Sequence, residues 1–137
     1  MTSSLVGSEM CIRDRKGIPV RVTKEISDAY GLDPQLPMQC SERKIMLPEK
    51  YEEKDSLVVP SYFIDTNHHM NNTRYVQVAM EYVPKEFRTM EVRVEYKKAA
   101  MCRDVIVPHV TIEDPRVTVA LCAPDGQPYA VVVFLKA

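Results

Sequence analysis

Residues 57–84 read LVVPSYFIDTNHHMNNTRYVQVAMEYVP. An apolar run, Leu57 to Ile64, meets a polar cluster, Asp65 to Asn72, and then a helical pattern from Thr73 to Val83. Within that pattern Val76, Ala79, Met80 and Val83 recur at i, i+3, i+4 and i+7, the stripe of a helix with one buried face. Asn71, Asn72 or Thr73 supplies the cap, and Pro84 ends the helix. The Leu57–Ile64 run reads as a strand, with Pro60 placing it at an edge or a bulge. In an extended chain alternate side chains share a face, so Asp65, Asn67 and His69 are expected together, with His68 opposite. So many polar groups at a strand-to-helix junction are costly to bury without partners. The junction is therefore where chemistry should be sought.

Downstream the pattern stays regular. Thr89 to Ala99 alternates through Met90, Val92, Val94 and Tyr96, as a half-buried strand does. Asp104–Ile112 and Arg116–Ala123 read as two more strands. Asp125-Gly126 marks a hairpin turn into a last one, Tyr129–Leu135. Strand, helix, then four strands is an α+β arrangement, with one long helix packed on a curved, largely antiparallel sheet. That arrangement suggests a hotdog fold.

Upstream the chain is punctuated. From Lys16 to Asp55 it carries Pro19, Pro34, Pro37 and Pro48, and Glu49 to Asp55 is nearly all charge. A short helix is expected within Val22–Tyr30. The rest reads as a surface connection, and a connection of this length suits a linker between two domains better than a loop inside one. Residues 1–15 show no periodicity and resemble peptides translated from sequencing-adapter DNA. The expected division is a non-native leader over 1–15, a linker over 16–55 and the α+β domain over 56–137.

Composition excludes several classes. The 137 residues are 45% hydrophobic with a formal net charge of -1, enough for a core and without the footprint of a nucleic-acid binder. No apolar run approaches the length of a membrane span. Cys11, Cys40, Cys102 and Cys122 form no CxxC pair and read as free thiols in a reducing cytosol. His68 and His69, on opposite sides of an extended chain, do not make a metal site. No metal or cofactor is expected.

The segment Ile64 to Tyr75 resembles the D-x-N-x-H-x-N-N-x-x-Y signature of the acyl-acyl carrier protein thioesterases of plants and bacteria. Glu81, Pro84 and the stretch Val94-Glu95-Tyr96-Lys97-Lys98 extend the likeness. So do Pro19-Val20-Arg21-Val22 and Arg43-Lys44-Ile45, which resemble the family's inter-domain linker. The resemblance implies tandem hotdog domains, of which this chain carries the linker and the C-terminal one. It implies hydrolysis of a fatty acyl thioester in fatty acid biosynthesis, in a bacterial cytoplasm and with no cofactor. The partners would be the acyl carrier protein and either an N-terminal hotdog domain or a second copy of this chain.

It also names Asp65, Asn67 and His69 as catalytic candidates. Asp65 would act as general base or orienter, Asn67 would orient water or thioester, and His69 would serve as base or acid. Backbone N–H groups at Asn71, Asn72 and Thr73 would support an oxyanion at the helix start. The Asn71 and Asn72 side chains and His68 read as scaffolding, and Tyr75 as packing rather than chemistry. Plant members carry a Glu-Cys pair where Ala99 and Ala100 stand here, with Cys102 two residues on. Water attack is therefore expected in preference to a cysteine mechanism. The alternatives are an acyl-CoA thioesterase and a non-catalytic acyl-binding module of the same fold.

Overall fold

The computed structural model describes residues 20–31, 34, 37 and 44–136. The leader expected over 1–15 lies outside them, as do Cys11 and Cys40. The chain forms two units, 1–41 and 42–137. In the first, helix α1 spans Lys24–Tyr30. Thr23 caps it, its side chain accepting from the Ile26 N–H, and Gly31, at φ 65°, ends it in a conformation suited to glycine.

The second unit holds the strands β1 (Glu52–Glu53), β2 (Leu57–Val58), β3 (Thr89–Tyr96), β4 (Val105–Glu113), β5 (Arg116–Cys122) and β6 (Pro128–Lys136), with helix α2 (Asn72–Met80). The sheet is antiparallel in the order β1-β4-β5-β6-β3, and β2 also pairs with β4. The expected α+β hotdog architecture is the one observed.

β1 and β2 are one edge interrupted by a bulge. From Glu53 to Leu57 the edge advances four residues, while their partners His109 and Ile106 lie three apart on β4. Pro108 faces this gap. It has no N–H to offer, and its carbonyl accepts the Lys54 N–H at 2.9 Å. A proline is tolerated within β4 because the neighbouring ladder is already broken there.

The strand expected over Leu57–Ile64 stops at Val58. Pro60 then precedes a 3-10 turn, Ser61–Phe63, and Ile64 returns to pair with Met70. Val59 turns to a different partner, exchanging backbone bonds of 2.9 Å with Arg103 and Asp104. The helix expected over Thr73–Val83 ends at Met80. It closes through i→i−3 bonds from the Glu81, Tyr82 and Val83 amides, a tightened last turn that absorbs the remaining apolar period. The β5–β6 hairpin forms as expected. The Ala123 carbonyl accepts the Gly126 N–H at 2.9 Å, and Gly126 sits at φ 87°.

The core lies on both faces of the central strands. On one face Val117, Val119 and Leu121 of β5 and Ala130, Val132 and Phe134 of β6 pack with Tyr75 and Ala79 of α2. On the other, Ala120, Cys122, Val131 and Val133 pack with Ile45. Burial on two sides explains why β5 and β6 read as continuous apolar runs. The Ile45 N–H donates to Glu95 Oε2 at 2.8 Å, and Thr111 Oγ1 donates to the Lys50 carbonyl at 2.8 Å. The sheet's covering and its first strand thus fall inside the stretch read as a connection.

β3 is the other edge. The half-buried alternation expected of it is not observed: the ladder shifts register between Thr89 and Glu91, Met90 is 74% exposed and Val92 44%, and burial does not alternate along the strand. Met80, at the end of α2, is also exposed, at 56%. The strand also ends at Tyr96, before the expected Ala99.

Candidate active site

The polar cluster is a tight turn, which corrects the extended reading. The Asp65 N–H donates to the His69 carbonyl at 2.9 Å, and the His68 N–H to the Asp65 carbonyl at 3.0 Å. Asp65 Oδ1 accepts from the Asn67 N–H at 2.8 Å and, more weakly, from the His69 N–H at 3.4 Å. His68 takes φ 63°, left-handed for a non-glycine residue. Asp65, Asn67 and His69 therefore do not alternate along a strand. Once Pro60 has ended pairing, an aspartate offers the backbone an Asx turn that competes with extension. The three residues are still brought together, within one turn of chain. Asp65 is half-buried, and Asn67, His68 and His69 are exposed.

The start of α2 is already capped. Asn71 Oδ1 accepts from the Thr73 N–H at 3.0 Å and from Thr73 Oγ1 at 2.7 Å. The Asn71 N–H donates to the Phe63 carbonyl at 2.9 Å. Two of the three amides expected to support an oxyanion, those of Asn71 and Thr73, are thus engaged in holding the helix start. The Asn72 carbonyl accepts from the Tyr96 hydroxyl at 3.0 Å. The scaffolding role of the Asn71 side chain is the one its geometry displays.

A second loop lies against the turn. The Met70 N–H donates to the Ala100 carbonyl at 2.8 Å, and the Ala100 N–H donates to the Tyr75 hydroxyl at 2.8 Å. Both backbone groups of Ala100, a fully buried residue, are held by the motif segment. Asp104 Oδ2 accepts the Met101 N–H at 2.8 Å, and Arg103 sits at φ 71°. The two loops therefore each carry a left-handed non-glycine residue, and Ala100 ties them together. Cys102 is exposed two positions from that tie, whereas Cys122 is buried in the sheet, where burial first and Asp125 second push its thiol up.

Tyr75 is 2% exposed, and its ring meets Tyr96 edge-on at 5.7 Å. Burial pushes its phenol up more strongly than the Ala100 hydrogen bond draws it down. It therefore stays neutral throughout the range in which a histidine titrates. Burial, then the nearby Asp104, raises the Tyr129 phenol likewise. Reading Tyr75 as packing missed its grip on the facing loop. The available signal was its place as the last fixed letter of the motif. Arg74 lies over the Phe63 ring at 5.3 Å and donates to Gln77 Oε1, bracing the first turn of the helix.

His109 belongs to the opposite edge, stacked on Tyr51 at 4.1 Å and 3.6 Å from Glu53 Oε2. Among the described residues no group of three or more His, Cys, Asp or Glu side chains could hold a metal ion, and no helix is long and apolar enough to cross a membrane.

A helix laid across a curved antiparallel sheet, with a polar turn feeding the helix start, defines a hotdog domain of the thioesterase type. Residues 47–119 match the acyl-ACP thioesterase C-terminal domain family, and the chain belongs to that family. Solved structures share the fold. An acyl-ACP thioesterase from Bacteroides thetaiotaomicron superposes with a TM-score of 0.65 at 16% identity, over 75% of this chain and 44% of its own. An oleoyl thioesterase, so described, from Lactobacillus plantarum gives 0.61 at 18% identity, over 88% of this chain and 51% of its own. A Staphylococcus aureus hypothetical protein solved in complex with CoA gives 0.54 at 20% identity, over 64% and 79% respectively. The chain thus spans about half the length of the first two. Among curated proteins nothing matches.

Proposed function

We propose that this chain is the catalytic hotdog domain of an acyl-[acyl carrier protein] thioesterase, which hydrolyses a fatty acyl thioester to a free fatty acid and the carrier thiol. The observation that carries this reading is the family match across 47–119, which contains the whole turn Asp65–His69. The geometry supports a division of labour. Asn67 and His69 carry exposed side chains and are the groups we assign to water and thioester. Asp65, whose Oδ1 is committed to the turn, holds them in place.

In the proposed reaction His69 accepts a proton from water as the oxygen adds to the thioester carbonyl. Asn67 donates to the oxygen that becomes negative. The tetrahedral species then expels the thiolate, which takes up the proton. No covalent enzyme intermediate is required, so Cys102 has no part in this scheme.

A partner is part of the reading. The uncovered apolar residues Met80, Met90 and Val92 beside the free edge β3 support packing against another hotdog domain, either one joined through the stretch 16–55 or a second copy of this chain.

The test compares hydrolysis of carrier-bound and CoA-bound acyl chains of equal length. Faster turnover of the carrier-bound chain supports the assignment. Preference for CoA moves the protein to the acyl-CoA thioesterases, and binding of acyl chains without hydrolysis makes it an acyl-binding module.

A further inference from the structure

We infer that Tyr75 is a positioning residue for this site, acting through the backbone of Ala100 to fix the loop 97–104 against the turn 65–69. The inference rests on the thioesterase reading and adds to it a residue that touches neither water nor thioester.

Three observations carry it. First, the tie is two-pronged and local: the Met70 N–H holds the Ala100 carbonyl and the Tyr75 hydroxyl holds the Ala100 N–H, both at 2.8 Å. Met70 directly follows His69, so any drift of Ala100 is passed to the turn that carries Asn67 and His69. Second, the phenol is the only one of the two prongs supplied by a side chain. It reaches from the first turns of α2, the rigid element of the motif, and is fixed in place by its burial and by the Tyr96 ring. Third, the loop it holds is conformationally costly. Arg103 is left-handed at φ 71°, and the buried Ala100 amide has no water to turn to if the phenol is removed. Without the hydroxyl the loop gains reason to relax and the turn loses its backing. Displacements of about 1 Å in a reacting group are enough to lower turnover by orders of magnitude.

Tyr75→Phe keeps the ring and removes only the hydroxyl. It is compared with the wild-type protein and with Thr111→Val, which deletes a side-chain hydrogen bond of the same 2.8 Å length at the far edge of the sheet. The readouts are kcat and KM on the thioester that the wild-type protein turns over best, and amide exchange at Ala100.

For Tyr75→Phe we expect Ala100 exchange to accelerate by about tenfold or more, kcat to fall by about tenfold and KM to stay within about threefold. The shape of the pH–rate profile should be unchanged, because the phenol neither gives nor takes the reacting proton. Thr111→Val should leave kcat unchanged. Wild-type kcat in Tyr75→Phe, with or without faster exchange at Ala100, overturns the inference while leaving the thioesterase reading intact. So does an equal kcat loss in Thr111→Val, which would mean general softening. Absence of turnover in the wild-type protein overturns the thioesterase reading, and this inference with it.

Discussion

Asp65 does two things that substitution can separate. Its Oδ1 holds the Asn67 and His69 amides, a role an asparagine oxygen can take over, whereas an alanine cannot. Asp65→Ala should therefore destabilise the protein by about 1 kcal/mol and lose most turnover. Asp65→Asn should melt close to the wild type and keep clearly more activity than Asp65→Ala, as measured by thermal unfolding and kcat. Equal and near-total loss in both, with Asp65→Asn fully folded, would return Asp65 to the role of general base. Arg103 is the second residue whose backbone matters. A left-handed non-glycine residue costs about 1–2 kcal/mol, and glycine's extra unfolded-state entropy offsets about 0.4–1 kcal/mol of the relief. Arg103→Gly should thus be neutral or slightly stabilising, while Arg103→Val, branched at Cβ, should lower the melting temperature. The motif letters were legible in the sequence; these conformations were not. Nothing local marks His68 or Arg103 as left-handed, because the constraint comes from partners across the turn and from Val59.

At the scale of elements, the segment 44–51 is latched to the sheet by Glu95. The Lys97 ammonium at 2.8 Å holds the Glu95 carboxyl below its ordinary range, with the Ile45 N–H adding to the effect. A lowered folded pKa means stabilisation that is fully present above the ordinary glutamate value of about 4.3 and is lost as the pH falls through the depressed value. Glu95→Gln should weaken the latch at neutral pH. Its stability should also fall less than the wild type's as the pH is lowered from about 5 to about 3, a range that brackets the ordinary carboxylate pKa, as followed by thermal or denaturant unfolding. A wild-type curve parallel to that of Glu95→Gln would contradict the latch. Element types read well where one physical signal dominates. The segments that form β5 and β6 read as strands, and Asp125-Gly126 announced their hairpin; that both faces are buried was not read from them. Ile45 and the strand β1 were not legible, since two glutamates carry no strand signal and their pairing depends on β4 far along the chain.

For the molecule as a whole, the exposed apolar side chains Met80 on α2 and Met90 and Val92 on the edge strand β3 are the feature with consequences for assembly. The alternation along 89–99 suggested a half-buried strand, but the exposure of Met90 and Val92 was not legible in it. If a second copy covers the exposed residues of β3, Val92→Lys should shift the protein toward monomer in sedimentation at micromolar concentration while leaving the fold intact. If another hotdog domain covers them, the same change should weaken that complex instead. A monomeric wild type that binds no such domain would remove these residues from the account. The central claim, that the turn Asp65–His69 hydrolyses carrier-bound acyl chains, is tested most directly by the turnover of acyl-ACP with wild-type protein and Asn67→Ala. The account expects measurable hydrolysis by the wild type and a loss of about a hundredfold in kcat for a fully folded Asn67→Ala, the scale of one oxyanion donor. Equal turnover by the two proteins would contradict it.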